Sequence, residues 1–375
     1  MIFFTLILAG IVFLYVLTGI LIHLGLSKKF ERSNLQPFVS VLVSARNEEM
    51  TLAACLDSLA MSDYPQNKFE VIIINDHSTD QTAKIARTYC EHLQHFRLFE
   101  VKNEFDGLRG KMNALAQAIE VAVGEFILIT DADCRVEKTW LSALVSGFTA
   151  QSTMVGGLTL IKLSPNKNST FKHLQALDLL FLQAIASGTA GIGLPVSILG
   201  NNFGFKKAVY EEIGGFRRIG FSLTEDLALM QQMISRTEYK LNYDLQQPAV
   251  IHTIPLENFA NFFSQRIRWL QNGKKNSIWG YFLMGMSLIT RLTLLSAILF
   301  SIRIPALLLL TVMISLVDYS LILRLAGRPG QNKMLIYLPL FELFFCAYSL
   351  LLAFCLLCPG TIEWKGRKYA GRGGK

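Results

Sequence analysis

Charge is scarce in this sequence: Asp, Glu, Lys and Arg make up 17% of its 375 residues, against 51% for the hydrophobic set. Ordinary globular chains carry about 25% charged residues, so part of this chain is built for an apolar solvent. Cysteine is sparse as well. Cys55, Cys90, Cys134, Cys346, Cys355 and Cys358 form no disulfide framework in a chain this long, and the middle of the sequence suits a reducing compartment. Cys355 and Cys358 make a CxxC, but in an apolar run and without a second ligand pair. They read as small hydrophobes near a helix end rather than as a metal site. No GxxxxGK[ST] loop occurs, which excludes a P-loop. No internal repeat or low-complexity tract interrupts the chain, which excludes solenoids.

The apolar excess collects at the two ends. Ile2 to Leu26 is almost unbroken and long enough to span a bilayer as one helix. It lacks the basic start and short core of a cleaved signal peptide. Lys28, Lys29 and Arg32 follow it, so the positive-inside rule places the next domain in the cytoplasm, at the cell (inner) membrane. The C-terminal third is apolar from about Tyr281, with one span within Ile302–Leu325 and another within Met334–Cys358. A third candidate, Tyr281–Phe300, carries Arg291 at its middle. An arginine at mid-bilayer costs about 2.5–3.5 kcal/mol on insertion scales, so this segment either lies in the interface or packs Arg291 against protein. Two C-terminal crossings put the basic loop Arg324–Lys333 outside, and three put the basic tail outside; both counts stand. The net charge of +8 owes much to juxtamembrane residues, including Lys365, Arg367, Lys368 and Arg372. Such residues act as topology determinants and headgroup contacts, so no nucleic-acid partner is expected. The expected organisation is an anchor over 1–27, a cytoplasmic domain over 28–279, membrane helices over 280–360 and a basic tail over 361–375.

The middle stretch alternates two patterns. Val39–Ser44, Glu70–Asn75, Arg97–Lys102 and Phe126–Thr130 are short runs rich in β-branched residues, the pattern of strands in a sheet covered on both faces. Helical patterns separate them at Glu49–Met61, Asp80–Leu93 and Lys111–Val123. Alternation of this kind predicts an α/β fold with a mostly parallel sheet and right-handed crossovers. Ligands then bind beyond the carboxyl ends of the strands, where this chain places Ala45–Glu48, Asn75–Asp80 and Asp131–Asp133.

Six constellations in the chain can do chemistry. Asp131-Ala132-Asp133 follows a buried strand, and two carboxylates at i and i+2 can face one Mg²⁺ or Mn²⁺ bound to a diphosphate. The competing reading makes one of them a cap for a helix starting near Val136. In Asn75–Asp80, Ser78 or Asp80 suits an N-cap, whereas Asp76, after an apolar run, is placed to accept hydrogen bonds from a base or ribose. Glu48 suits a nucleotide contact, and Glu49 suits a first-turn position favoured by the helix dipole. Gly110-Lys111 offers close backbone approach and a cation for a diphosphate, or simply a surface lysine at a helix start. Glu225-Asp226 offers capping acids, or in Asp226 a base for a hydroxyl. Gln265, Arg268 and Trp269 stand at i, i+3 and i+4 and share a helix face. They suit a sugar and a phosphate, or an interfacial helix with a snorkelling arginine.

The order of these motifs resembles the membrane-bound branch of the family 2 inverting glycosyltransferases, which includes cellulose, hyaluronan and poly-N-acetylglucosamine synthases and ceramide and carotenoid glycosyltransferases. The resemblance covers roughly Pro37 to Trp269 and rests on a DDxS-like element, GK, DxD, ED and QxxRW. It implies a GT-A nucleotide-diphospho-sugar transferase domain between N- and C-terminal transmembrane helices. It implies Glu48, Asp76, Lys111 and Asp131 as nucleotide or donor contacts, Asp133 with Asp131 as the metal position, and Asp226 as the base. Gln265, Arg268 and Trp269 would stand near the donor diphosphate and acceptor, and Asn201 and Asn202 at the sugar pocket. The expected partners are a nucleotide-sugar donor, a UDP-sugar foremost, and a lipid or glycan acceptor at the membrane. Three departures bear on nucleotide selectivity: Asn75 replaces the first acid of the DD pair, His77 stands where the family has Gly, and the entry to Arg46–Glu49 lacks a proline. The terminal Trp364-Lys365-Gly366-Arg367 resembles tails of single-transfer lipid and carotenoid enzymes.

The implied reaction is an in-line displacement with inversion at the anomeric carbon. With three or four crossings too few for a roomy pore, one-sugar transfer to a lipid or lipid-linked acceptor is favoured over a processive polysaccharide synthase. A non-catalytic relative would have lost Asp133 or Asp226, and a nucleotidyltransferase would want glycines in Ser44–Glu49; neither pattern is met.

Overall fold

The computed structural model describes residues 2–105, 107–163, 169–235, 240–271, 276–327, 332–355, 362–364 and 367–369. Cys358 of the CxxC and the tail residues Lys365, Gly366 and Arg372 lie outside the described residues. In chain order the elements are α1 (Ile2–Leu26), β1 (Val39–Ala45), α2 (Leu52–Ala60), β2 (Phe69–Asn75), α3 (Thr82–His92), β3 (Phe96–Glu100), α4 (Gly110–Val121), β4 (Phe126–Asp131), β5 (Arg135–Val136) and α5 (Trp140–Ser146). There follow β6 (Ser152–Gly157), β7 (Thr159–Ile161), α6 (Thr170–Gly191), β8 (Phe203–Lys206), α7 (Lys207–Glu212), α8 (Gly215–Ile219), α9 (Glu225–Ile234), β9 (Lys240–Asp244) and β10 (Ile251–Thr253). The chain continues through α10 (Phe259–Gln271), α11 (Ile278–Phe300), α12 (Leu308–Ala326), α13 (Leu338–Cys355), β11 (Ile362–Trp364) and β12 (Arg367–Tyr369).

These elements divide into two compact units. An α/β unit comprises Lys29–Lys162 and Ser197–Ile254, and a helical unit comprises Met1–Lys28, Leu163–Val196 and Pro255–Lys375. The stretch 28–279, expected as one middle domain, is shared between these two units. Leu163–Val196 groups with the helical unit because α6 packs there, and the residues from Pro255 on group with it as well.

In the α/β unit a seven-stranded sheet runs in the order β3-β2-β1-β4-β8-β6-β9. The first four strands are mutually parallel, β8 is antiparallel to β4 and β6, and β9 is parallel to β6. The strands read from the apolar runs are confirmed, and every residue of β2 is buried, as a sheet covered on both faces requires. Val41, Leu56, Val71, Leu128 and Trp140 join one core. Register sets up the site: Ala45 pairs with Asn75 and Ser44 with Asp131, so the carboxyl ends of β1, β2 and β4 lie side by side. Arg32, expected as a headgroup contact, donates instead to Asp244 (2.7 Å) and Ser146 (2.8 Å) within this unit.

In the helical unit, among the described residues, four helices are long and apolar enough to cross a membrane: Ile2–Leu26, Ile278–Phe300, Pro305–Ala326 and Met334–Cys355. Of the two fates open to Arg291, packing against protein is the one observed. Its side chain has no exposure and donates to Asp318 (2.5 Å) on α12 and Glu342 (2.7 Å) on α13. It also donates to the hydroxyl of Tyr15 (3.2 Å) on α1, which itself bonds Asp318. Against α1, α6 packs through Gly25, Gly188 and Gly191, where any Cβ would strike the facing helix; small residues let membrane helices approach this closely.

Candidate active site

The loops after β1 and β2 are laced together. Backbone N–H groups of Asn47, Glu48 and Glu49 donate to Ser78 Oγ (3.0 Å), Thr82 Oγ1 (2.8 Å) and Asp80 Oδ2 (3.1 Å). In return Thr79 N donates to Asn47 Oδ1 (2.8 Å) and Gln81 N to Glu49 Oε2 (3.0 Å). Glu49 is thus a clasp between loops rather than a first-turn helix residue, because α2 begins only at Leu52. Neither Ser78 nor Asp80 stands at the N-cap of α3, which is Gln81 with no side-chain cap; Asp80 accepts instead from Thr82 N (3.0 Å) in the turn before the helix. Arg46 donates to the carbonyl of Asp76 (3.0 Å), and Thr51 to the Glu48 carboxylate (2.7 Å). Asn47 and His77 are left-handed, at φ 54° and 55°. That conformation costs a side-chain-bearing residue energy and costs glycine nothing. It accounts for the family's glycine at position 77.

Asp131 ends β4, and Asp133 lies two residues on in the following turn. No helix starts near Val136, which belongs to β5, so neither acid is spent on a cap there. Lys111, at the start of α4, bridges two motifs: its Nζ lies 2.7 Å from Asp131 and 3.0 Å from Glu225. Its side chain is only 12% exposed. Burial alone would lower the lysine pKa, but the two carboxylates more than offset this and hold the ammonium charged. Lys111 reads better as this bridge than as the surface lysine of the bland alternative. The bridge was invisible in the sequence, which singled out Asp226 and passed over its neighbour Glu225. Below the DxD turn, Cys55 donates to the Asp131 carbonyl (3.6 Å) and Cys134 to the Asp133 carboxylate (3.4 Å). Burial and the adjacent acids push both thiols up, which keeps them protonated and inert.

Asp226 sits in the first turn of α9, where its Oδ1 accepts from Leu227 N (2.8 Å). A Cβ on Gly200 would lie 2.7 Å from its Oδ2, so the glycine admits the carboxylate to the Gly200–Asn202 turn. Asn201 donates to Cys134 Sγ (3.5 Å) and accepts from Thr159 (3.0 Å), which ties that turn to the DxD loop. Asn202 does not fit its expected place at the sugar pocket. It is fully buried, accepts from Trp140 Nε1 (2.9 Å) and donates to the carbonyls of Leu158 (3.0 Å) and Ala249 (3.1 Å). No donor remains on its amide for a ligand. Glu48, Asp76, Asp131, Asp133, Lys111 and the Glu225-Asp226 pair are thereby linked around the carboxyl ends of β1, β2 and β4. Gln265, Arg268 and Trp269 lie on α10 in the helical unit, each half-buried.

A family model described as glycosyl transferase family 21 matches residues 2–375, bearing out the resemblance read from the motifs. The beta-monoglucosyldiacylglycerol synthase of Nostoc sp. is 29% identical over 245 residues, 63% of this chain and 49% of that protein. The poly-beta-1,6-N-acetyl-D-glucosamine synthase of Staphylococcus epidermidis is 25% identical over 236 residues, 63% of this chain and 54% of that protein. The chain spans about half the length of these curated relatives. Among solved structures, the mannosyltransferase PcManGT from Pyrobaculum calidifontis in complex with GDP-Man and Mn²⁺ aligns at a TM-score of 0.58. That match covers 95% of this chain and 97% of the other at 19% identity. The fold is the GT-A glycosyltransferase type, as expected.

Proposed function

Because the chain belongs to glycosyl transferase family 21, we propose that it moves one sugar, with inversion, from a nucleotide-diphosphate sugar to a lipid or lipid-linked acceptor at the cytoplasmic face of the cell membrane. The observation that carries this reading is the Lys111 bridge, which ties the DxD and ED motifs together at the carboxyl end of the sheet, where such ligands bind. The Nostoc relative, named for a lipid product, and the four apolar helices support the choice of acceptor.

In this mechanism Asp226 takes the acceptor hydroxyl proton as the oxygen attacks the anomeric carbon, and the nucleoside diphosphate leaves on the opposite side. Asp76 and Glu48 bind the base and ribose. Asp131 and Asp133 are hard oxygen ligands suited to Mg²⁺ or Mn²⁺. Asp131 ends its strand with its side chain 34% exposed, so the two acids suit an ion whose remaining ligands come from the donor's phosphates. When bound, that ion supplies charge neutralisation on the leaving diphosphate. Lys111 serves the same diphosphate by exchanging one of its two carboxylate partners for it. Gln265, Arg268 and Trp269 are assigned to the diphosphate and acceptor on their motif, and Asn201 replaces Asn202 as the residue of that turn offered to the sugar.

The test is Asp226→Asn in full-length protein supplied with labelled nucleotide sugars and membrane lipid, with product read by mass after lipid extraction. Turnover should fall about 10³-fold, within the range for removal of a general base, while donor affinity is kept. A loss of donor affinity equal to the loss of turnover would remove Asp226 from the role of base. Polymer formed from donor alone would replace single transfer by processive synthesis.

A further inference from the structure

The sequence pointed to Gln265, Arg268 and Trp269, yet the fully buried member of that segment is Arg266, only 6% exposed. We propose that Arg266, gripped by Asp178, is the residue that positions Gln265 and Trp269, a proposal that rests on reading those two as contacts of donor and acceptor. Asp178 lies on α6 with no exposure. Its Oδ2 accepts from Arg266 Nε (3.0 Å) and from Arg266 Nη2, and its Oδ1 accepts from the hydroxyl of Tyr348 on α13. The other edge of the guanidinium donates from Nη1 to Gln265 Oε1 (2.5 Å). Its Cζ lies over both the Phe262 ring, 4.4 Å from the centroid, and the Trp269 ring, 4.3 Å from the centroid.

One planar cation therefore fixes two motif side chains at once, the amide by a hydrogen bond and the indole by cation–π contact. Lysine offers a point charge without fork or face and cannot do both. A buried ion pair is weak evidence for stability, since apolar replacements of like volume are often neutral. What apolar residues would not supply is the orientation of Gln265 and Trp269. Asp178 and Tyr348 anchor that orientation to α6 and to the apolar helix α13, so α10 receives its motif geometry from the helical core.

The experiment uses the full chain in lipid-containing micelles. Turnover, melting midpoint and the Trp269 emission, taken as the difference from Trp269→Phe, are read on Arg266→Lys and Asp178→Glu. Arg266→Lys keeps the charge pair, so its melting should stay close to the parent. Its turnover should fall about 10²-fold, the usual effect of misplacing a reacting group by about 1 Å, and Trp269 emission should shift to the red. In a Trp269→Phe background the same substitution should cost only a few-fold more, as expected of residues acting on one path. Turnover that follows melting across all variants, or an unmoved Trp269 emission in Arg266→Lys, overturns the proposal. If the parent protein transfers no sugar from any donor offered, the proposed function falls, and the emission shift alone decides whether Arg266 positions Trp269.

Discussion

Asp131, at the end of a strand in the α/β unit, and the acids buried among the apolar helices are held in opposite ways. In the α/β unit Asp131 keeps its side chain 34% exposed while it pairs with Lys111. In the helical unit Asp178, Arg291 and Asp318 have no exposure at all, and each is closed onto a charged partner. A carboxylate at the open end of a sheet can trade its protein partner for water, a cation or a ligand. A carboxylate among apolar helices has no such alternative, because nothing in hydrocarbon replaces the lost bond. Exchangeable pairs serve chemistry, and locked pairs serve architecture and orientation.

The largest effect should come from breaking a locked pair. Arg291→Leu strands Asp318 and Glu342 among α11, α12 and α13, and removing one partner of a buried ion pair costs about 3–5 kcal/mol. The variant should melt far below the parent in micelles or fail to accumulate. Replacing all three charges with Leu or Met should restore most of that loss, since apolar substitutes for a whole buried network are often neutral or better. A single variant that melts like the parent would show that water reaches the cluster and would end the contrast between the units.

The exchangeable pair should respond more mildly. Lys111→Met leaves Asp131 and Glu225 without their shared cation, at an expected cost of about 1–3 kcal/mol for acceptors left unsatisfied. Adding Mn²⁺ should recover part of its melting midpoint, because the DxD acids can take the metal in place of the ammonium, whereas Arg291→Leu should recover nothing. Turnover should stay low even with Mn²⁺, because the metal does not draw the ED helix toward the DxD turn. Equal rescue of both variants, or of neither, would contradict the distinction.

Much of this was legible in the sequence where burial is two-sided. The runs at residues 39–45, 69–75 and 126–131 are apolar along their length, so strand, sheet type and the acids at the strand ends followed directly. Less legible were features that depend on which face a helix turns inward. Arg266 and Arg268 carry the same charge two positions apart, and only packing against α6 decides which is buried. Asn202 was placed at the sugar pocket by the resemblance alone, and its actual partners, Trp140, Leu158 and Ala249, come from remote parts of the chain. The departure of α6 from the middle domain was hidden for the same reason: its small and apolar residues suit a soluble core as well as a helical one.

The smallest effect belongs to the clasp between the β1 and β2 loops. Burial would raise the Asp80 carboxyl slightly, but the hydrogen bonds from Thr82 and Glu49 outweigh it and hold the pKa below its ordinary 3.8. Because the folded value is depressed, the clasp contributes its full stability above the unfolded pKa and loses it as pH falls through the folded value. Asp80→Ala should cost about 0.5–1 kcal/mol, the low end for lost hydrogen bonds because the carboxylate is well solvated. That amounts to a drop of about 1–4 °C in the melting midpoint of a domain this large. The gap between parent and variant should be complete at pH 6 and close below about pH 4, where the parent's own carboxylate takes up its proton. A gap that persists unchanged through that range would mean that Asp80 holds the Asn47–Glu49 loop by shape rather than by charge.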